Sequence, residues 1–459
     1  MKDLLKKFCV MFFCALALST ALSAETTNTL TWNKEQNSVT ADISSWTLQQ
    51  LLQNVSARTG WRVYLEPGLT HPVSVRFKNL LQSDAMRMMI GDLSFALVPG
   101  TNGVSQLYVF KTGQEKATQF ISPVGSEGRR KDIKHMPNEL IVTLKPGENI
   151  DDLARLLGAK VIGKIDGINA YRLQFKDEAT ADSALITLGS SPSVASIDYN
   201  YIVDPQPNPQ ALASTTVPPI QLKLAPPGSD GQVVVGLIDT KLQSMGSDLD
   251  KFVTKAFSVA GDANLDPNSP SHGTSMAEAI LRAASSVSGG QSSMSIVSVD
   301  VYGPNPTTSM FDVASGIVTA VNNGANIINL SLGSEGDSAY LHSVIQQVTA
   351  SGITVYAAAG NNDSSVPFYP AAYPEVTAVT AGTQGKLASY ANYGSYVDLV
   401  APGTTVVNLN GNSWLVSGTS TSSALISGMT AGLATSHNVT VGAASQAIKT
   451  SPTFIYRGN

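Results

Sequence analysis

The sequence predicts an α/β fold: a doubly wound, mostly parallel sheet in the C-terminal half, preceded by two small α+β domains. Continuous apolar runs at 233–238, 295–301, 327–332 and 353–358 suit central strands that are buried on both faces. Helical patterns separate these runs, and strands that alternate with helices are typical of a parallel sheet covered by helices. A functional site in such a sheet lies at the carboxyl ends of its strands.

The N-terminus has the pattern of a signal peptide. Three lysines precede an apolar run at 8–18, and small residues follow as far as Ala24. We therefore predict a signal peptide over residues 1–24 and an exported chain, periplasmic or secreted. Retention of the segment as a membrane anchor is the alternative.

Composition excludes several classes of protein for the rest of the chain. Among the 459 residues, charged side chains make up 14% and hydrophobic ones 43%, which describes a globular protein rather than a disordered one. No basic cluster suggests a nucleic-acid partner, and no later apolar run is long enough for a transmembrane segment. Cys9 and Cys14 both lie in the predicted signal peptide, so the exported chain would contain no disulfide.

Residues 25–112 are predicted to form the first small domain. Alternating apolar residues at 39–43 and 73–77 predict strands, and apolar residues at helical spacing over 48–55 predict a helix that ends at Gly60. The turn RTGW and the strand VSVRFKNL resemble the short N-terminal domain of secretins and TonB-dependent receptors. This resemblance implies docking to an envelope protein of a Gram-negative cell. A generic α+β spacer is the alternative.

The second small domain is predicted at 135–204, after a polar linker at 113–134. Its pattern has the order strand, helix, strand, strand, helix, strand, which predicts a βαββαβ unit. The stretches PNELIVTLKPG, YRLQF and SPSVASIDYNY resemble the inhibitory propeptide of subtilases. The resemblance implies an intramolecular inhibitor that first assists folding of the protease and then blocks it.

Residues 205–230 are predicted to be an extended, exposed linker, because Pro, Gln, Ala and Ser dominate them. In the family suggested by the preceding domain, such a junction is cut by the enzyme itself. We therefore expect a processing site between 203 and 217, with a plain interdomain linker as the alternative.

Four polar residues in the C-terminal half suggest nucleophilic catalysis. Asp239 ends the first central strand in VVVGLIDT, His272 opens a helix in SHGTSMA, and Ser420 opens a helix of small residues in SGTSTSSA. A serine nucleophile needs a base and a carboxylate that orients this base. Asn361, in YAAAGNND, stands at a strand end where an oxyanion donor is needed. Each residue alone could be a cap or a turn former, but their order on suitable elements favours catalysis.

The region 231–437 resembles the subtilases, the subtilisin family of serine peptidases, through the motifs LIDT, HGT, INLSLG, AAAGN and GTS. The resemblance implies a peptidase domain over 231–459 that hydrolyses peptide bonds through an acyl-enzyme and is made as a self-processed zymogen. It assigns Asp239 as the orienting carboxylate, His272 as the base and Ser420 as the nucleophile. Asn361 becomes the oxyanion donor.

The same resemblance assigns the substrate-binding residues. Ser331, Leu332 and Gly333 would pair with the backbone of a protein or peptide substrate like an added strand. Ala359 and Gly360 would line the pocket for its side chain. Walls made of such small residues predict a pocket that admits medium or large apolar side chains.

Three positions depart from the family pattern: Lys241 follows the DT pair, Ser275 follows HGT, and Ala424 replaces a proline after the nucleophile. None removes a catalytic group. The chemistry requires no cofactor, and we assign no metal ligands. Calcium is common in the family, but no acidic loop here has recognisable ligand spacing, so calcium binding stays open. The alternative function is a catalytically silent peptide-binding module in the envelope.

Overall fold

The structure is a computed structural model. It describes residues 28–33, 36–66, 68–98, 105–117, 119–121, 133–165, 167–189, 191–204, 209–212, 220, 222–225, 232–246, 248–383 and 386–457. The predicted signal peptide and most of the predicted processing segment lie outside the described residues. The chain divides into two compact units, Met1–Arg129 and Arg130–Asn459.

The strands, in chain order, are β1 Thr29–Asn33, β2 Ser38–Thr47, β3 Arg62–Leu65, β4 Pro72–Leu81, β5 Ser94–Val98, β6 Gln106–Phe110, β7 Gln119–Ile121, β8 His135–Leu144, β9 Lys160–Ile165, β10 Ala170–Gln174, β11 Val194–Val203, β12 Gln210–Ala211, β13 Lys223–Leu224, β14 Val234–Asp239, β15 Val253–Ser258, β16 Gln291–Ser292, β17 Ser295–Asp300, β18 Thr308–Ser309, β19 Ile327–Leu330, β20 Thr354–Ala358, β21 Thr377–Thr383, β22 Lys386–Leu387, β23 Leu399–Ala401, β24 Thr404–Leu409 and β25 Asn412–Ser417. The α-helices are α1 Leu48–Thr59, α2 Gln82–Ile90, α3 Ile150–Leu157, α4 Glu178–Leu188, α5 His272–Val287, α6 Met310–Asn322, α7 Ala339–Ala350, α8 Thr419–His437 and α9 Val441–Lys449. None of these helices is long and apolar enough to cross a membrane.

The first unit contains two small sheets and a hydrophobic core of its own. One sheet has the order β1-β2-β4 and the other the order β5-β6-β3-β7. Helix α1 begins at a capping box formed by Thr47 and Gln50, and it ends at Gly60 with φ 74°. Its apolar face, including Leu51 and Val55, is fully buried in that core.

The first unit extends beyond the predicted boundary at 112. Strand β7 lies within the segment predicted as a linker and pairs antiparallel with β3, and its Ile121 is buried. This part of the linker prediction is therefore wrong. A strand of three residues between polar stretches is too short for its periodicity to be read from the sequence.

The second unit begins with a five-stranded antiparallel sheet in the order β18-β11-β8-β10-β9. Strands β8 to β11 and helices α3 and α4 have the order strand, helix, strand, strand, helix, strand. Asn149 and Asp177 cap the two helices by accepting hydrogen bonds from the backbone N–H groups of Asp151 and Thr180, respectively. The fifth strand, β18, comes from the C-terminal half of the chain, so this sheet is continuous with the α/β region.

The α/β region is built on a sheet in the order β15-β17-β14-β19-β20-β21-β22, with β23 also beside β21. All of its strand pairs are parallel except that of β21 with β22. Helices α6 and α7 pack on one face, and α5, α8 and α9 pack on the other. Every residue of β14 and β17 is buried. The prediction of a doubly wound, mostly parallel sheet is confirmed.

This region starts earlier than the predicted boundary at 231. Leu222 is buried in the core beside α5, and β13 pairs with β16. Upstream, β12 pairs with β25. Parts of the predicted linker at 205–230 are therefore attached to the α/β region, because their backbone groups complete the edges of its short sheets.

Helices α5 and α8 lie so close together that glycine is required between them. A Cβ on Gly428 would stand 2.2 Å from the backbone oxygen of Ile280. One turn on, a Cβ on Gly432 would stand 2.8 Å from the backbone oxygen of Ala284. The two helices are thus parallel and in register. His272 and Ser420 each stand eight residues before Ile280 and Gly428 in their own helices, so this register brings the two helix starts to the same level.

Candidate active site

Asp239 and His272 form a buried pair at the carboxyl end of the sheet. Asp239 is the last residue of β14, and His272 is the first residue of α5. The Nδ1 atom of His272 lies 2.8 Å from Oδ1 and 2.9 Å from Oδ2 of Asp239. A carboxylate only accepts hydrogen bonds, so this geometry assigns the ring proton to Nδ1. Nε2 is then the nitrogen that can take up a proton.

The start of α5 is fixed on the end of β14 by short-range contacts. A Cβ on Gly273 would stand 2.1 Å from the backbone oxygen of Thr240, so this position of the HGT motif has room only for glycine. The N–H of Gly273 donates to Oγ1 of Thr240 at 2.8 Å. Ser271 caps the helix by accepting from the N–H of Thr274. These contacts hold the His272 ring against Asp239.

Ser420 is the second residue of α8 and is buried. Its Oγ donates to the backbone oxygen of Ser331 at 2.9 Å, and Oγ of Ser331 donates to the backbone oxygen of Ser420 at 2.9 Å. The N-terminal position exposes the Ser420 hydroxyl to the positive end of the helix dipole, which favours negative charge. Helix α8 begins without the proline that Ala424 replaces, so this departure does not prevent helix formation.

Asn361 lies beside the start of α8, and its amide is oriented by Thr419. Its Oδ1 accepts from the N–H of Thr419 at 2.9 Å and from Oγ1 of Thr419 at 3.1 Å. The N–H of Gly360 donates in turn to Oγ1 of Thr419. Because Oδ1 is the acceptor in both bonds, Nδ2 is the atom that can donate into the cavity that Asn361 and Ser420 line. The sequence reasoning missed Thr419, although it belongs to the GTS motif.

A cavity of about 250 Å³ lies beside Asn361, Thr419 and Ser420. It is lined by Asp204, Ser331, Leu332, Gly333, Ala358, Gly360, Asn361, Asn362, Phe368, Thr419 and Ser420. The structure thus brings together nearly all of the predicted substrate-binding residues around Ser420.

Ala359 is the exception, and its predicted place in the pocket wall is wrong. It is fully buried, and its backbone oxygen accepts from Oη of Tyr396 at 2.8 Å. Ala358 lines the cavity instead, together with Gly360. Ala358 is the last residue of β20, and the chain leaves the extended conformation at Gly360, which has φ 106°. The sequence reasoning also missed Phe368.

The remaining polar groups near the site do not form a metal centre. The extra charge of Lys241 is directed to Asp262, at 3.8 Å, rather than to Asp239. In the part of the chain that the structure describes, no group of three or more His, Cys, Asp or Glu side chains is arranged to hold a metal ion.

The end of the βαββαβ segment leads into this cavity. Strand β11 pairs antiparallel with β18 through Ile202 and Val203, and the next residue, Asp204, lines the cavity. Oη of Tyr302 donates to the backbone oxygen of Asp204 at 3.4 Å. The chain therefore enters the cleft as an added strand, the mode by which an extended peptide binds a sheet edge.

Side chains of the same segment contact the first turns of two helices. Oδ1 of Asn200 accepts from the N–H of Phe311 in α6 at 3.2 Å. Arg172 donates to Asp312 at 3.1 Å, also in the first turn of α6. Asp198 contacts the first turn of α7, and burial raises the pKa of its carboxyl to about 7. The side chains of Asn200 and Asp198 thus accept from backbone N–H groups that helix starts leave unpaired, while Arg172 pairs with an acidic side chain of the same turn.

Comparison with known proteins finds matches to both the α/β region and the βαββαβ segment. Residues 230–451 match the family described as Subtilase family, and residues 122–200 match the Fervidolysin N-terminal prodomain. The "Thermophilic serine proteinase" of Bacillus sp. (strain AK1) is 31% identical over 317 residues, which cover 65% of this chain and 78% of that protein. The chain belongs to the subtilase family. This subtilase is a serine endopeptidase with a prodomain, consistent with a processed zymogen.

Two further matches have lower identity. Subtilisin E of Bacillus subtilis (strain 168) is 29% identical over 259 residues, which cover 54% of this subtilase and 65% of that protein. The crystal structure of fervidolysin from Fervidobacterium pennivorans covers 66% of this chain and 55% of that chain, with 18% identity and a TM-score of 0.49.

Proposed function

We propose that this subtilase is an exported endopeptidase in which Asp239, His272 and Ser420 form the catalytic triad. The observation that carries the proposal is the buried His272 ring, whose Nδ1 lies within 2.9 Å of both carboxylate oxygens of Asp239. A histidine buried against a carboxylate at the level of a helix-start serine has the arrangement that activates the serine hydroxyl.

The chemistry follows from the atoms of these residues. Oγ of Ser420 attacks the carbonyl carbon of the scissile bond while Nε2 of His272 takes up its proton. The negative charge on the carbonyl oxygen is stabilised by Nδ2 of Asn361 and by the N–H groups at the start of α8. The protonated ring, stabilised by Asp239, then donates to the leaving amine. Water hydrolyses the acyl-enzyme by the same steps in reverse.

Substrate binding uses the extended chain after β19. Ser331, Leu332 and Gly333 offer their backbone groups to a peptide that lies in the cleft as an added strand. The reciprocal hydrogen bonds between Ser331 and Ser420 support this role, because they fix the distance between the backbone-binding segment and the nucleophile.

We also propose that residues 135–204 act as an intramolecular inhibitor and that the enzyme cuts the following junction itself, between 203 and 217. Two observations support this. Strand β11 occupies the edge formed by β18, and Asp204 lies in the cavity next to Ser420. A substrate cannot use this part of the cleft while the segment is docked.

For the N-terminal segments we propose a signal peptide over residues 1–24, and docking of residues 25–112 to an envelope protein. Support for the second part is the separate hydrophobic core of the first unit, which allows it to act independently of the peptidase. Cell fractionation of full chain and of a variant lacking residues 25–112 tests it. Loss of envelope association only in the shortened chain is expected, and identical distributions would contradict docking.

A fluorophosphonate probe for activated serines tests the catalytic assignment. We expect it to label the wild type, not to label Ser420→Ala, and to label Ser427→Ala like the wild type. Ser427 is the matched control, because it is a buried serine of the same helix whose Oγ donates to Asn329 instead. A folded and processed wild type that takes up no label would favour the silent peptide-binding module.

A further inference from the structure

The ring of Phe368 lies in the cavity beside Ser420, and none of the catalytic steps uses it. Phe368 belongs to the segment between β20 and β21, and its side chain is half-buried. We propose that Phe368 closes the side-chain pocket and makes this enzyme prefer small residues, Ala, Gly or Ser, immediately before the scissile bond. This inference rests on the proposed function, since it takes Ser420 as the nucleophile.

The ring contacts both walls of the pocket. A Cβ on Gly333 would stand 2.5 Å from Cε1 and 2.9 Å from Cδ1 of Phe368. A Cβ on Gly360 would stand 3.1 Å from Cγ of the same ring. All three distances are shorter than a carbon–carbon van der Waals contact of about 3.5–4.0 Å. Gly333 therefore makes room for the ring of Phe368, and Gly360 makes room for Asn392, at 2.3 Å from such a Cβ, as well as for the ring. The ring thus lies close to both walls.

The backbone around Phe368 is held in place by neighbouring hydrogen bonds. The N–H of Ser334 donates to the oxygen of Tyr369 at 2.8 Å, and the N–H of Tyr369 donates to the oxygen of Ser334 at 2.7 Å. The N–H of Ala372 donates to the oxygen of Phe368 at 2.9 Å. Backward movement of the ring with its backbone would break these bonds. The ring therefore stands on a backbone segment that is held in place at the floor of the pocket.

This position determines which substrate side chain is excluded. A peptide with its carbonyl carbon at Ser420 and its oxygen at Asn361 places the side chain of the same residue between the walls formed by 331–333 and 358–360. A methyl group or a hydrogen reaches no further than the ring, whereas a Leu or Phe side chain would overlap with Phe368. The cavity of about 250 Å³ is larger than the side-chain pocket, because it extends along the cleft from Asp204 to Asn362. The glycine-rich walls alone predicted a wide pocket.

Matched peptides test the proposal. The substrates differ only in the residue before the scissile bond, which is Ala, Leu or Phe, and kcat/KM is measured for the full chain after processing. The wild type should prefer Ala over Phe by at least about 10-fold, since small changes of volume in a tight pocket have effects of about 10- to 200-fold. Phe368→Ala should shift the Phe-to-Ala ratio by roughly 100-fold towards Phe, and Phe368→Leu by less.

Phe257→Ala is the matched control, because Phe257 lies exposed on β15 at the sheet edge; its preference should equal that of the wild type. If Phe368→Ala fails to fold, the positions at which the wild type cleaves an unfolded protein are mapped instead. These cleavages should occur immediately after Ala, Gly and Ser residues. Wild-type cleavage that follows Leu and Phe as readily as Ala, or an unchanged ratio in Phe368→Ala, would overturn this inference alone. Absence of Ser420-dependent cleavage of every peptide would contradict the proposed function and overturn the inference with it.

Discussion

Asp198 of β11 meets the first turn of α7, where its Oδ2 lies 3.4 Å from the backbone nitrogen of Tyr340. Burial of this carboxyl raises its pKa from 3.8 to about 7, and the nearby charge of Asp337 acts in the same direction. Hydrogen bonds from Ser338 and Tyr340 oppose the rise but do not cancel it. The contact between the inhibitor-like segment and the peptidase therefore contains a carboxyl group, that of Asp198, whose pKa of about 7 keeps it protonated in mildly acidic solution.

Docking of this segment should weaken as the pH rises. The pKa of Asp198 is higher in the docked state than in a released, hydrated segment, so its contribution is complete below about pH 4 and is lost between about pH 4 and 7. A segment that stays docked after processing blocks the cleft, so full activity should lag behind cleavage. From pH 5 to pH 8 the pKa shift from 3.8 to about 7 weakens docking by roughly 100-fold, and we expect the lag to shorten with it. In Asp198→Asn, which cannot ionise and keeps an acceptor for Tyr340, the lag should change with pH much less than in the wild type, and the change that remains is that of catalysis itself. A wild-type lag that is as independent of pH as that of the variant would contradict this role.

Asp239→Asn should lower kcat by about 10⁴-fold, the order found for triad aspartates in serine peptidases, including subtilisin of this family. An amide can donate to Nδ1 of His272 and so stabilise the wrong tautomer. Asp300→Asn is the control, because Asp300 ends β17 directly beside Asp239 but accepts from backbone N–H groups of Tyr302 and Gly303. Its turnover should stay within a few-fold of the wild type. Equal losses in both variants would indicate a general effect of buried carboxylates.

Asn361→Ala should lower kcat by about 10²- to 10³-fold with little change in KM, which is the order found for loss of an oxyanion donor in subtilisin. Asn361→Asp separates donation from structure, since a carboxylate can still accept from the N–H and hydroxyl of Thr419 but cannot donate. We expect the Asp variant to be at least as impaired as the Ala variant. If Asn361→Asp retains the wild-type kcat, the role of Asn361 is only to hold Thr419.

Gly428→Ala should destabilise the fold by about 1–3 kcal/mol, because its Cβ would overlap with the backbone oxygen of Ile280 and force α5 and α8 apart. Gly442→Ala, in α9, meets nothing within 4 Å and should stabilise the fold slightly, since alanine is the better helix former. Thermal unfolding of the two variants checks this. An unchanged melting temperature in Gly428→Ala would contradict the close helix contact.

Much of the architecture is readable from the sequence wherever a local pattern determines it. Helix α3 is the first helix of the predicted βαββαβ order, and its bounds, Ile150–Leu157, follow from Asn149, which caps one end, and Gly158, which ends the other. The apolar run at 233–238 corresponds to β14, Val234–Asp239, because a short continuous apolar run suits a strand that is buried on both faces. Asp239 ends a strand and His272 begins a helix. They meet because the carboxyl ends of parallel strands and the starts of the helices that follow them lie at the same edge of the sheet.

The parts that could not be predicted depend on contacts between distant segments. The family resemblance assigns Ala359 to the pocket wall, but its burial and its contact with Tyr396 depend on the course of the chain after β20. Phe368 lies in a segment without periodicity, and its contacts with Gly333 and Gly360 exist only in three dimensions. The contact of Asp198 with Tyr340 likewise joins two elements far apart in sequence.

Comparison of the masses of the wild type and Ser420→Ala, expressed without residues 1–24, tests the central claim most directly. If Ser420 is the nucleophile and cuts the junction near 203–217, the wild type should yield a peptidase fragment of about 240 residues, because an extended junction is readily cleaved. Ser420→Ala should remain one full-length chain. Two chains that both stay whole while the wild type cleaves peptides would contradict self-processing, and a mutant that is cut like the wild type would contradict Ser420 as its agent.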